Sequence, residues 1–181
     1  MLVECGLVRA TAGDGSEYTF RPSFGRIAAL GAPHEIVETF ARLHGPHAAA
    51  EAAYVLACLC DQEDPTPLIG WRDEGGWHPG AMPADEQVII ARHLLQHGMV
   101  GKASPEKGDG EYRAEFNAAE YISAARVHLG LSSEDAEALS MTEFQPMFEM
   151  KFPDAAKKKR NVPTREEYAA ALTAMKERGH G

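Results

Sequence analysis

The stretch RPSFGRIAALGAPHEIVETFARLHGPHAAAEAAYVLACLC, residues 21–60, decides the fold, because it holds three helix starts in close succession. Ser23 can cap a short helix carrying Phe24, Ile27 and Leu30, and Gly31 stops it. Pro33 opens a second helix with Ile36, Val37, Phe40 and Leu43 at helical spacing, and Gly45 lies beyond its end. Pro46 opens a third, alanine-rich helix through Tyr54, Leu56 and Leu59.

Upstream of this stretch the pattern is β. Residues 2–10 and 17–22 are β-compatible runs separated by Ala12-Gly13-Asp14-Gly15-Ser16, where Asp-Gly suits the positive φ of a hairpin turn. Downstream, residues 63–83 contain Pro65, Pro67, Pro79 and Pro83 with both tryptophans, so a central loop is expected, with LIGW and GWHPG as a small hairpin covered by Trp71 and Trp77. Pro83 begins a helix with Val88, Ile89, Leu94, Leu95 and Met99, and GKASPEKGDGE forms a linker. A further helix is expected from Ala114 to Leu129, with Phe116, Tyr121, Ile122 and Ala125 on its apolar face. Helix starts then recur at Ser132-x-x-Asp135, Thr142-x-x-Gln145 and Thr164-x-x-Glu167, with Pro146 placed in a first helical turn. The expected fold is mainly α with a short N-terminal β-hairpin, an irregular helical bundle. Its parts are a hairpin at 1–22, a helical body at 23–100, a linker at 101–113 and a short-helix segment at 114–181, together one domain.

The 181 residues carry 18 basic and 27 acidic side chains, a net charge of −9. Residues 1–90 hold 13 acidic and 5 basic groups, net −8, so this half would repel phosphate, and nucleic acid is not an expected partner. Cys5, Cys58 and Cys60 fit neither a disulfide framework nor a structural zinc site, which points to a reducing compartment. The start lacks a basic region followed by an apolar one, and the apolar-rich stretch from Ala48 to Cys60 is too short to span a bilayer, so neither export nor membrane insertion is expected.

Candidate chemistry is sparse. His93-Leu-Leu-Gln-His97 sets two imidazoles one turn apart, yet Leu94 stands where a zincin would place its general base. His34-Glu35-x-x-Glu38 is the inverse near-miss. Cys58 and Cys60, on a helix, would point about 200° apart and act as core filler. No phosphate-binding, nucleophile-elbow or dinucleotide signature occurs, so neither a catalytic residue, a metal nor a cofactor is assigned. Phe144, Met147, Phe148 and Phe152 form a helical stripe with Met141 and Met150 beside it. Methionine-rich surfaces adapt to varied partners, so these six side chains are the candidate binding face, with Phe144 and Phe148 anchoring the helix and Met147 and Met150 facing outward.

Two stretches carry a family resemblance. One is the hairpin with Tyr18-x-Phe20-Arg21-Pro22-Ser23-Phe24 and Leu30-Gly31-x-Pro33-x-Glu35-Ile36-Val37. The other is His128-Leu129-Gly130-Leu131-Ser132-x-x-Asp135-Ala136-x-x-Leu139-x-Met141-Thr142-x-Phe144, followed by Lys151-Phe152-Pro153 and Thr164-Arg165-Glu166-Glu167-Tyr168. Together they resemble the tail assembly chaperones of tailed bacteriophages and prophages, in about half of the chain and without residues 46–110. The resemblance implies a non-enzymatic protein of the host bacterial cytoplasm that binds the long helical tape-measure protein and keeps it soluble. A minor virion component, such as a tail-completion or connector protein, is the alternative, and a metal-dependent hydrolase using His93 and His97 ranks third. Homo-oligomerisation is left open by the sequence.

The resemblance also bears on Lys157-Lys158-Lys159-Arg160, the one strong basic cluster, otherwise read as a solvated linker. Such chaperones are often made in two lengths by ribosomal slippage, and lysine codons can supply the A-rich slippery site. Synonymous recoding of the three lysine codons is expected to abolish a longer product on an immunoblot of producing cells; absence of that product before recoding leaves the run as a linker.

Overall fold

The computed structural model describes residues 6–101 and 115–153. The chain divides into two compact units, residues 1–148 and 149–181. In the second, only residues 149–153 are described. Cys5, the Lys157–Arg160 cluster, the helix start at Thr164 and nearly all of the expected 101–113 linker lie outside the described residues.

The first unit is mainly helical with a short N-terminal hairpin. Strands β1 (Val8–Thr11) and β2 (Glu17–Phe20) pair antiparallel, Val8 opposite Phe20 and Thr11 opposite Glu17. The connection is a five-residue loop rather than a tight two-residue turn: positive φ falls on Gly15 alone, and Asp14 accepts the Ser16 N–H instead. Ala12 N donates to Ser16 O, which fixes the parity of the ladder. Val8 and Ala10 therefore bond toward β2, whereas the N–H and C=O of Arg9 and Thr11 point away from it. The same parity on β2 sends Thr19 outward, where its N–H donates to Gln62 Oε1 and its C=O accepts from Asp61 N.

Helix α1 (Phe24–Ala28) starts at Ser23, whose Oγ accepts the Arg26 N–H. Helix α2 (Pro33–Arg42) starts with Glu35 Oε2 accepting the Ala32 N–H at 2.7 Å, and Arg92 closes its far end by donating twice to Leu43 O. Helix α3 (Ala48–Leu59) packs most extensively against α5 (Ala84–Leu95), and their facing residues Ala52, Val55, Leu56, Leu59, Ala91, Leu94 and Leu95 are buried. Between them, the expected loop contains a one-turn helix, α4 (Thr66–Ile69), preceded by Asp64, whose Oδ1 accepts the Thr66 N–H. It also contains the hairpin β3 (Trp71–Asp73) and β4 (Gly76–His78). Leu68 and Ile69, expected in a strand, instead lie buried in α4, because Pro67 suits a first helical turn.

After α5 the chain widens into a π-helical turn, Gln96–Val100, which ends at Gly101. Helix α6 (Ala118–Ala124) likewise runs into a π turn, Ala125–Leu129, closed by Gly130 in the left-handed region. Phe116, expected inside that helix, precedes it and anchors through its N–H to Pro33 O. Helix α7 (Ser133–Ala138) is capped by Ser132, and α8 spans Met141–Lys151. Ile89, one of the apolar residues expected along α5, is 65% exposed.

The core joins the two ends of this unit through one aromatic cluster. The fully buried Phe24 ring lies 5.5 Å from Tyr121, 5.9 Å from Phe144 and 6.4 Å from Phe116. Gly98 lets the π turn approach α1: a Cβ there would stand 2.1 Å from Ile27 Cδ1 and 2.8 Å from the Pro22 carbonyl oxygen. Ile27 can swing aside but the backbone of Pro22 cannot, so Gly98→Ala is expected to lower stability by about 1–3 kcal/mol. The shift in urea midpoint at unchanged m-value measures it.

Candidate functional site

Helix α8 carries most of the expected binding residues, and its own start differs from the expected one. Ser140 caps it: its N–H donates to Glu143 Oε2 at 2.8 Å and its Oγ accepts the Glu143 N–H at 3.3 Å. Thr142, expected as the cap, is instead buried two residues into the helix and bonded to His97. Pro146 accordingly lies inside the helix, beyond its first turn, and removes the N–H that would reach the Thr142 carbonyl.

This register sorts the six candidate side chains. Phe144, expected to anchor the helix, is buried in the core, and Met141, set beside it in the candidate face, is buried as well. Phe148 is half-buried, 5.3 Å from Phe144 and edge-on to His128 at 5.9 Å. Met147 is 37% exposed and Met150 84% exposed. Met150 and the half-buried Phe152 belong to the second unit.

His93 and His97 do come together, with ring centroids 4.5 Å apart. His97 Nδ1 lies 2.8 Å from Thr142 Oγ1, whose hydroxyl donates to His97 O at 3.2 Å, an arrangement that casts the ring nitrogen as donor. Burial pushes the His93 imidazole below its ordinary value of 6.5. Among the described residues no group of three or more His, Cys, Asp or Glu is placed to hold a metal. Glu35 and Glu38, of the other near-miss, serve the start of α2 and an ion pair with Arg42. Cys60 is corrected from helix interior to an extended residue that ends α3 and bridges to Phe20. Burial pushes both the Cys58 and Cys60 thiols up, away from the reactive thiolate.

Among the described residues a hollow of about 850 Å³ opens between α3 and the β3–β4 hairpin. Ala49, Ala50, Ala53 and Ala57 form one wall, and Tyr54, Trp71 and Trp77 stand around it. The hairpin approaches closely because Gly70 and Gly80 lack side chains: a Cβ on Gly70 would meet His78 O at 2.5 Å, and one on Gly80 would meet Leu68 O at 2.3 Å. Trp71 stacks on His78 at 4.2 Å, and His78 Nε2 lies 3.1 Å from Asp73 Oδ1. Trp71 remains 47% exposed and Trp77 46%, unusual for the largest apolar side chain. Below them the Gln87 amide is buried and donates to Ile69 O and Met82 O, which fixes the mouth of α5.

Sequence reasoning placed the tryptophans as covers and missed the hollow beneath. The signal was the alanine spacing at 49, 50, 53 and 57, one helix face without bulk, beside Gly70 and Gly80. None of the described helices is long and apolar enough to cross a membrane. Residues 44–170 match the model of a family of unknown function (DUF6246), a span that contains the whole hollow. Neither a curated protein nor a solved structure matches the chain.

The division within α8 gives a paired expectation. Phe144→Ala should cost about 3–5 kcal/mol, whereas Met147→Ala should stay within about 0.5 kcal/mol of the parent. Denaturant melts of the two variants measure both.

Proposed function

Since the chain belongs to the DUF6246 family, whose function is unknown, we propose its role from its own residues: a tail assembly chaperone that holds helical, apolar segments of the tape-measure protein. On this reading it is a binding protein of the host cytoplasm and not an enzyme.

The observation that carries the reading is the alanine-walled hollow beneath Trp71 and Trp77. A helix surface made of alanine permits another helix to approach closely, and exposed aromatic rings supply apolar contact area at little cost in side-chain freedom. The exposed Met147 of α8 adds a second adaptable apolar contact. A net charge of −9 keeps such a complex soluble while apolar seams of the client are covered. The resemblance of the Tyr18–Phe24 and Leu129–Phe144 stretches to tail assembly chaperones supplies the identity of the client.

Ala57 is exposed on the wall of the hollow, so Ala57→Trp fills the space without disturbing the core. Co-expressed with the tape-measure protein of the same gene cluster, the parent chain should keep it in the soluble fraction and co-purify with it. Ala57→Trp should melt like the parent and weaken capture about tenfold or more, a loss of at least ~1.4 kcal/mol. Equal solubility of the client with and without the parent chain would overturn the proposal.

A further inference from the structure

A second open surface is the edge of the N-terminal sheet. Outward of β2, Thr19 bonds to Gln62 and Asp61, and Arg21 N, just past the strand's end, donates to Leu59 O, whereas Glu17 at the turn end has no such main-chain partner among the described residues. The corresponding groups of β1, on Arg9 and Thr11, have no partner among the described residues. Alongside that edge runs a separate groove of about 500 Å³ between β1 and α5. Val8 and Ala10 lie on its strand side, Met82, Ile90 and the exposed Ile89 are among its other apolar lining residues, and Glu86 stands on its helix wall. Among the described residues Glu86 has no ion pair, and Arg9, the one cation of fixed charge among those lining the groove, sits on the strand side.

We propose that an extended segment of a partner protein adds to β1 as a third strand, setting alternate apolar side chains into this groove and a basic side chain against Glu86. Only an extended chain fits these main-chain groups: Arg9 and Thr11 present donors and acceptors two residues apart, whereas a helix spends its own groups internally. Occupant residues facing Arg9 and Thr11 form the hydrogen-bonded pairs. Those facing Val8 and Ala10 share their face and reach the groove. A second copy is a poorer occupant. One bonded antiparallel register would oppose Arg9 to the Arg9 of the other copy, and each chain brings a net charge of −9. This inference does not depend on the tape-measure reading, because it uses a different surface and a different backbone conformation of the partner.

The test uses the full ¹⁵N-labelled chain and the peptide acetyl-Thr-Val-Ser-Val-Thr-Lys-Thr-amide. Here the valines and lysine share one face, and the serine and middle threonine carry the pairing groups. The peptide should shift the amide resonances of Arg9 and Thr11 and slow their hydrogen exchange about tenfold. The same peptide N-methylated at its serine and middle threonine should not bind, a comparison that leaves the protein unaltered. Glu86→Lys should weaken binding about tenfold, and replacing the peptide lysine by glutamate should restore it. Unchanged Arg9 and Thr11 amides at millimolar peptide, equal binding of the N-methylated form, or no effect of Glu86→Lys would each overturn the proposal. So would a dimer in sedimentation that protects the same two amides without peptide, which would assign the edge to a second copy.

Discussion

The body of this protein depends on the burial of Phe24. Its ring meets side chains from three distant places: Phe116 ahead of α6, Tyr121 within it and Phe144 on α8. Its N–H donates to Leu139 O at 2.8 Å, so backbone and side chain are fixed together. An aromatic side chain buried among aromatic neighbours contributes several kcal/mol, more than any single helix-helix contact between alanines. Without it, the short helices α1, α6, α7 and α8 would have little reason to remain helical, since pieces of five to eleven residues are marginal alone.

A second junction joins the sheet to the helical pair. Arg26 reaches from α1 to the carbonyls of Cys58 and Cys60 and to Asp61, which also pairs with Arg21 at 2.6 Å. The chain leaving α3 is thereby laid along β2, where it covers one edge of the hairpin and leaves the other open. That asymmetry has a functional consequence, because an uncovered edge is a pairing site unless something shields it. The hollow arises differently. The hairpin β3–β4 stands over an alanine face that has nothing large to fill the space between. Both surfaces are therefore by-products of how α3 is entered, packed and left.

The resemblance motifs and the family match divide this architecture. Phe24, Leu139 and Phe144, all quoted in the motifs, meet in one cluster, so that part of the likeness reports packing. The family span, 44–170, begins after α2 and takes in α3, the hollow and α5, which the motifs leave out. A reading based on packing residues speaks to ancestry of the fold, whereas a reading based on Trp71, Trp77 and the alanine wall speaks to what the surface can hold.

The sequence by itself determined the class of fold, the hairpin and the starts of α1, α2, α5 and α7, because Ser23, Pro33, Pro83 and Ser132 act on their own backbone neighbours. Three of its departures from the structure share one cause, what residues far along the chain claim or leave uncovered. Thr142 looked like a cap but is claimed by His97, Cys60 looked helical but is drawn out to bridge Phe20, and Ile89 followed the apolar period yet faces outward. The two π turns were invisible because a widened turn shifts the helical period without a residue signature. Among the candidate binding residues the buried Met141 could be told from the exposed Met147 only by what packs on each. Local rules decide which backbone a segment prefers; which of its faces is covered depends on neighbours far along the chain, and only the tertiary structure supplies those.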